Sequence, residues 1–329
     1  MKYDFLTIGG ATRDISFFTD QGVFVHNKKD VLRQELLAFE YGAKIKVDQF
    51  HYNYGGGAAN AAVCLSSFFL KTACITSIGN DENGCHILDN LRKNKIDTQF
   101  VKIQKKGESA SSFILIAPTG ERIIFGSRGV NRDLKITAAD KVAFSNSTNI
   151  YLASLSGDWL PNLKTIFSFV KPAGPKVFWN PGGAQIRAGL DKLAPFLKKT
   201  EVFALNKDEA IEFVLTSPVY RNLGRRQLND VDKLIAIIHG FGPKTVVITL
   251  GSDGVIAYDG QKIYRRGIAN DKKRIDTTGI GDVFNSSFAA GYSEYKNIDR
   301  ALSLALKNAA AKISHLGAQN GLLKINLKK

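Results

Sequence analysis

Residues 276–291 read "DTTGIGDVFNSSFAAG", and the fold turns on how that stretch is understood. Gly279 and Gly281 stand just ahead of an apolar run that reads as a helix. A helix start carries unpaired N–H groups and a partial positive charge, so it attracts anions. Glycines keep side chains away and let those amides come close to a ligand. Yet Asp282 follows the second glycine directly, and a carboxylate there repels a resting phosphate. Two readings follow. In one, Asp282 is a helix-capping residue and the glycines form an ordinary turn. In the other, the amides of Gly279, Ile280, Gly281 and Asp282 stabilise charge on a transferring phosphoryl group. The Asp282 carboxylate then accepts a proton from the attacking hydroxyl.

Outward from this stretch, strands alternate with helices. "NIYLASLS", "KVFWNPGG", "EVFALN" and "TVVITLGSDGVIAYDG" are strand runs, and "LPNLKTIFSFV", "KDEAIEFVL" and "VDKLIAIIHGF" are helical. That alternation predicts an α/β fold, a three-layer α/β/α core around a mostly parallel sheet. Nearer the amino end, "YDFLTIGG" and "TACITSIG" read as buried strands, "AANAAVCLSSFFL" and "NGCHILDNLRKN" as helices. The runs near 13–25, 43–54 and 101–127 alternate apolar and polar residues and do not fit inside that sheet. They predict a small β-sheet lid inserted in two pieces, 13–54 and 101–128, with "PTGE" as a turn inside the second. The core then comprises 1–12, 55–100 and 129–329. "VLRQELLAFEYG" reads as a helical turn or an ordered loop, and "LTSPVYRNLGRRQLND" as a polar surface loop.

With 329 residues, 44% of them hydrophobic, the chain can bury a full core. Its net charge of +15 is spread along the sequence without a basic block. The charge therefore reads mostly as solvated surface; it suits anionic substrates such as nucleoside triphosphates, and no nucleic-acid partner is expected. The start "MKYDFLTIGG" reads as a buried strand, so no signal peptide is expected, and no apolar stretch approaches the roughly 20 residues that span a bilayer. The three cysteines, Cys64, Cys74 and Cys85, form no CxxC pair, which points to a reducing compartment and a cytoplasmic protein. The five histidines show no zinc spacing. "GIGDVF" lacks the third glycine of a dinucleotide fingerprint, and "GPKT" precedes its strand, the wrong order for a P-loop.

Other segments carry candidate chemistry, each with an ordinary turn or cap as its alternative. "YGGGAANAAV" sets Gly55–Gly57 at a strand-to-helix junction with Asn60 in the first turn, suited to a polyhydroxyl ligand. Asp14, after the first glycine turn, can hold two adjacent hydroxyls. "NKDEA" sets Asn206 and Glu209 three apart, and Glu209 can reach Mg²⁺ through a water. "TLGSDG" at 249–254 offers amides and the Thr249 hydroxyl to phosphate oxygens. Phe17, Tyr52 and Tyr54 can stack on a base or sugar face, or simply pack between lid and core.

Taken together, the motifs resemble the ribokinase-like (PfkB) carbohydrate kinase family nearly end to end. "DTTGIGD" is similar to its D-T-x-G-x-G-D signature and "GGGAAN" to its amino-terminal glycine signature. "NKDE" is similar to its N-x-x-E motif, "TLGSDG" to its nucleotide loop, and "KNAAAKISHLGA" to the late helix bordering the adenine. The resemblance implies Asp282 as catalytic base and the amides of Gly279 to Asp282 as anion hole. It implies that Asp14, Gly56, Gly57 and Asn60 bind the acceptor, together with Thr12, which stands where ribokinases usually carry Asn. Asn206, Thr249, Leu250, Gly251, Ser252 and Gly254 would contact the ATP phosphates, Glu209 would organise Mg²⁺, and Asn308 would border the adenine. Asp276 and Thr278 match a site where many relatives bind a monovalent cation such as K⁺. A lid sheet of this kind can also pair two copies into a homodimer. Gly57 stands where ribokinases often carry Lys, and near Ser156 their usual Glu is missing. The expected activity is ATP-dependent phosphorylation of a hydroxymethyl group on a sugar or sugar-containing metabolite. A ribonucleoside kinase, or a non-catalytic metabolite- or nucleic-acid-binding regulator on the same fold, are the alternatives.

Overall fold

The computed structural model describes residues 3–26, 35–47, 49–116, 122–268 and 274–328. Its first strand, β1 (Tyr3–Ile8), is covered on both faces: Phe5 enters one apolar cluster, Leu6 and Ile8 another. A central parallel strand requires burial of this kind. After a turn at Gly9 and Gly10 the chain leaves the main sheet as β2 (Thr12–Phe18). β3 (Val23–His26) and β4 (Glu35–Ala38) pair antiparallel, and β5 (Phe50–Gly55) returns antiparallel to β2. The stretch expected as a helical turn or loop at 31–42 therefore carries a strand. Its register sets Phe24 against Leu37 and Val25 against Leu36, and such apolar cross-strand pairs favour a hairpin over a lone helical turn.

The helix Gly57–Ser67 follows, its buried Ala58, Ala59, Ala61 and Ala62 allowing close packing on β1 and on the helix Ile280–Tyr295. β6 (Thr72–Ile75) lies parallel beside β1. The run expected as a single strand breaks there: β7 (Ser77–Gly79) pairs instead with β8 (Lys102–Gln104). Among the described residues of 101–128, then, only β9 (Ser111–Ile116) and β10 (Arg122–Ser127) join β2 and β5, in the order β10-β9-β2-β5. The "PTGE" turn at 118–121 lies outside the described residues.

Six further strands extend the main sheet: β11 (Ser147–Leu152), β12 (Lys176–Trp179), β13 (Val202–Asn206), β14 (Thr245–Thr249), β15 (Val255–Tyr258) and β16 (Ile263–Arg266). Among the described residues the order is β16-β15-β14-β13-β12-β11-β1-β6, parallel except at the β15–β16 edge. Alternate residues serve opposite layers, as a pleated strand dictates: Val246 and Ile248 face one cluster, Val247 the other. The expected helices form as Trp159–Ser168, Lys207–Leu215 and Val231–Gly240. Two more, Gly183–Ala188 and Leu190–Leu197, follow β12, and the polar loop before Asp230 contains the short helix Arg225–Asn229. Parallel strands end at one edge of the sheet, and such edges are where α/β proteins place their ligands.

Candidate active site

Strand alternation puts Thr12, Asp14 and Ser16 on one face of the lid sheet, and register sets Asn53 and Ser112 opposite Asp14. Thr12 Oγ1 donates to Asp14 Oδ1 at 2.9 Å. A Cβ on Gly55 would lie 2.1 Å from Asp14 Oδ2, so glycine is what lets this carboxylate rest across the neighbouring strand. Burial pushes the Asp14 carboxyl above its usual value, against the bonds from Thr12 and Ser112. The opposite face of the sheet carries Ile15, Phe17, Tyr52, Phe113 and Phe125. Phe17, Tyr52 and Tyr54 therefore point away from Asp14, which corrects their reading as platforms for an acceptor. The Arg13 guanidinium lies over the Tyr52 and Tyr54 rings instead, at 5.4 and 4.5 Å from their centroids.

Gly279 begins the helix Ile280–Tyr295 with φ 71°, the left-handed region that favours glycine, and a Cβ there would lie 2.4 Å from that of Ala318. The first helical bond runs from Val283 N to Gly279 O. Among the described residues the N–H groups of Gly279, Gly281 and Asp282 have no partner. The Ile280 N–H turns back to the Thr277 carbonyl at 3.3 Å, which removes it from the four amides expected in the anion hole. Gly281 borders open space.

The Asp282 side chain meets the amino-terminal half of the chain. Asn60 Nδ2 donates to Asp282 Oδ2 at 2.8 Å, while a Cβ on Gly57 would lie 3.4 Å from Asp282 Oδ1. Asn60 Oδ1 accepts from Gln319 Nε2 at 3.0 Å, and Gln319 Oε1 accepts from Asn90 Nδ2 at 2.8 Å. This relay turns the Asn60 donor toward Asp282. Sequence reasoning missed Gln319 and Asn90, which carry no motif and meet Asn60 only through folding. Burial pushes the Asp282 carboxyl above its usual value; the Asn60 bond opposes this and the Asp14 charge adds to it. Gly56 supports the junction: its carbonyl accepts Asn60 N at 2.8 Å.

Along the same edge, Asn206 and Thr249 are paired residues at the ends of β13 and β14. Asn206 and Glu209 form a reciprocal capping box, Glu209 N to Asn206 Oδ1 at 2.8 Å and Asn206 N to Glu209 Oε2 at 2.9 Å. Burial raises the Glu209 carboxyl, and the charges of Glu212, Asp208 and Asp282 add to the effect. Among the described residues no three metal-ligating side chains meet here, so a divalent cation would depend on phosphate oxygens and water for most of its ligands. Leu250 through Gly254 form a tight turn closed by Leu250 N to Gly254 O at 2.8 Å. Gly251 and Ser252 line a cavity of about 550 Å³ together with Arg266, Ile280, Lys307 and Ala310, within the size range of small-molecule sites. Asn308 does not border it. Fully buried, Asn308 donates to Ser287 Oγ at 2.8 Å and accepts from Leu323 N at 2.8 Å, so it ties the helix Ile298–Lys312 to its neighbours. On that helix Ser303, Lys307 and Ala310 face the cavity instead.

Asp276 Oδ1 accepts Thr278 N at 2.8 Å and Oδ2 accepts Gly317 N at 2.7 Å. Against its burial, Thr278, the Lys312 charge and Gly317 hold the Asp276 carboxyl below its usual value. Lys312, also unforeseen, donates to the Asp276 carbonyl at 2.6 Å, and burial pulls its ammonium down to about 8. From the lid, the Arg122 guanidinium donates to Thr277 Oγ1. Among the described residues, no helix is long and apolar enough to cross a membrane.

Residues 30–325 match the family model described as pfkB family carbohydrate kinase. The chain is 27% identical over 283 residues to the ribokinase of Haemophilus influenzae, covering 85% of this chain and 88% of that protein. The solved structure of Arabidopsis thaliana ribokinase complexed with ribose and ATP superposes with a TM-score of 0.77 at 19% identity, over 100% of this chain and 97% of that one. Burkholderia thailandensis nucleoside kinase in complex with inosine gives a TM-score of 0.76 at 16% identity, over 97% and 94%. At these identities the two structural matches establish the fold.

Proposed function

Since the chain belongs to the pfkB family of carbohydrate kinases, which are ATP-dependent phosphotransferases, we propose that Asp282 is its general base. The acceptor is a sugar or sugar-containing metabolite, held between the Thr12–Asp14 face of the lid and the Gly56–Asn60 junction, with Asp14 gripping adjacent hydroxyls. Asp282 takes the proton from the hydroxymethyl group, its oxygen attacks the γ-phosphorus in line, and the γ-phosphorus bond to the β,γ-bridging oxygen breaks as ADP leaves. The amides of Gly279, Gly281 and Asp282 balance the charge that develops on the transferring phosphoryl group. The turn Thr249–Gly254 and Asn206 would hold the remaining phosphates, and Glu209, its rotamer fixed by the capping box, would help hold Mg²⁺, which would neutralise phosphate charge. Closure of the lid excludes water as a competing acceptor.

The observation that carries this reading is the Asn60–Asp282 bond. It fixes one carboxylate oxygen and leaves the other beside Gly57, where an added Cβ would meet Asp282 Oδ1 at 3.4 Å and the Ala153 Cβ at 2.9 Å, so only glycine fits next to this carboxylate. A simple helix cap would instead accept from its own helix's N–H groups, and the Asp282 side chain makes no such bond. The polar face around Asp14, with its aromatics turned away, favours a sugar over recognition of a base by stacking. The apolar outer face of the lid pairs two copies in a homodimer.

The test is an ADP-release screen with Mg·ATP over pentoses, hexoses, phosphosugars and ribonucleosides. Turnover of a sugar is expected; ATP binding without turnover of any acceptor would mark a non-catalytic regulator.

A further inference from the structure

Lys312 closes the helix Ile298–Lys312 with none of its surface exposed. Lysines are almost never buried so completely without a partner. Its partner is Asp276, one of the two residues expected for K⁺: Nζ lies 2.6 Å from the Asp276 carbonyl oxygen and 3.8 Å from Asp276 Oδ2, while the buried Thr278 Oγ1 has no partner among the described residues. Carbonyl and carboxylate oxygens are the groups a dehydrated monovalent cation takes in place of water. Here an ammonium already sits against Asp276, and a second positive charge at contact distance is strongly repelled in so dry a place. The residues present therefore do not fit a K⁺ ion.

We infer that Lys312 replaces the monovalent cation, so that this kinase carries its activating positive charge as a tethered side chain and works without K⁺. Asp276 lies three residues ahead of Gly279, and its carboxylate also binds Thr278 N and Gly317 N. By bonding the Asp276 carbonyl, the ammonium holds the segment leading into the helix start and, at neutral pH, sets a tethered positive charge behind the amides. Gly317 is drawn into the same unit, and Gln319, two residues on, supports Asn60. Lys312 acts through the Asp276 backbone, as a positioning residue. The inference rests on reading Gly279–Asp282 as an anion hole.

The full chain is assayed in choline buffers of constant ionic strength, with KCl, NaCl or NH₄Cl replacing choline, using the acceptor found in the screen. The wild type is expected to change its kcat by less than about twofold across these salts. Activation by K⁺ of about tenfold or more overturns the inference. Lys312→Met, which empties the ligand set while keeping bulk, is expected to lose about tenfold or more in kcat and to regain it with K⁺ or NH₄⁺ but not Na⁺. A loss that no cation restores, in a folded variant, assigns Lys312 a purely structural role. A thermal-melting arm needs no acceptor: K⁺ should raise the Tm of Lys312→Met above that in Na⁺ and leave the wild type unmoved. A K⁺-specific rise in the wild type overturns the inference even if the kinase reading stands. If Lys312→Met fails to fold, the wild-type titration and melts still decide. If no acceptor is turned over, the melts alone report on the cation.

Discussion

Asp282 enters its helix with one oxygen bound by Asn60, the other beside Gly57, and its carboxyl raised by burial. A general base works as the carboxylate, so kcat/KM is expected to fall as pH drops through that raised value. The midpoint should lie above the usual carboxylate range. Asp282→Asn keeps the shape and removes the base; kcat should fall by about two to four orders of magnitude and the acid limb should vanish. ATP affinity should hold or improve, because a repulsive charge beside the phosphates is gone. Near-normal turnover combined with a lower Tm would make Asp282 a cap only. Asp14 supplies the second measurement. Asp14→Ala should raise KM for the acceptor by an amount matching a few kcal/mol (about 1–3) while KM for ATP stays nearly constant. Equal changes in both would make Asp14 structural. At this scale the sequence made Asp282, Asn60 and Asp14 visible through their glycine-rich surroundings. The burial of Asn308 away from the cavity was not legible, because a motif position does not say which face of a helix is buried.

The elements show where local pattern suffices. The helix Glu82–Lys93 was legible from its periodicity, and Asp81 caps it by accepting Gly84 N at 2.7 Å. The same carboxylate reaches outside the helix to Ser109 N at 2.7 Å and Ser109 Oγ at 2.6 Å, joining the helix start to the chain that leads into β9. Against its desolvation, these bonds hold the Asp81 carboxyl below its usual value. A depressed carboxyl stabilises the fold above its unfolded-state pKa, and that contribution is lost as pH falls through the folded value. Asp81→Ala should therefore cost about 1–3 kcal/mol near neutrality, read by denaturant unfolding, and the cost should shrink in acid. A constant cost down to low pH would contradict the assignment. By contrast, β4 and the division of β7 from β6 were not legible. Short runs of mixed character take their structure from a partner strand, and that partner is set by tertiary register.

The lid sheet gives the molecule two unlike surfaces from one alternating pattern. Thr12, Asp14, Asn53 and Ser112 make one face polar, while Tyr52 at 61%, Phe113 at 48% and Phe125 at 59% exposure make the other openly apolar. An apolar row of this kind on a free surface marks an interface. Sedimentation of the wild type should therefore give a dimer, and Phe113→Asp, which sets a charge in the middle of the row, should give a monomer at the same concentration. A monomeric wild type would dismiss the pairing. By itself the sequence determined the mostly parallel core, the small separate β-sheet and the glycine-framed helix start, because periodicity and glycine spacing are local and survive without knowledge of contacts. Tertiary structure alone decided that Gln319 aims Asn60 at Asp282, that the lid's aromatics face outward, and that Lys312 lies on Asp276. Each depends on which distant segments meet, and a buried charge declares its purpose only through the partner it finds.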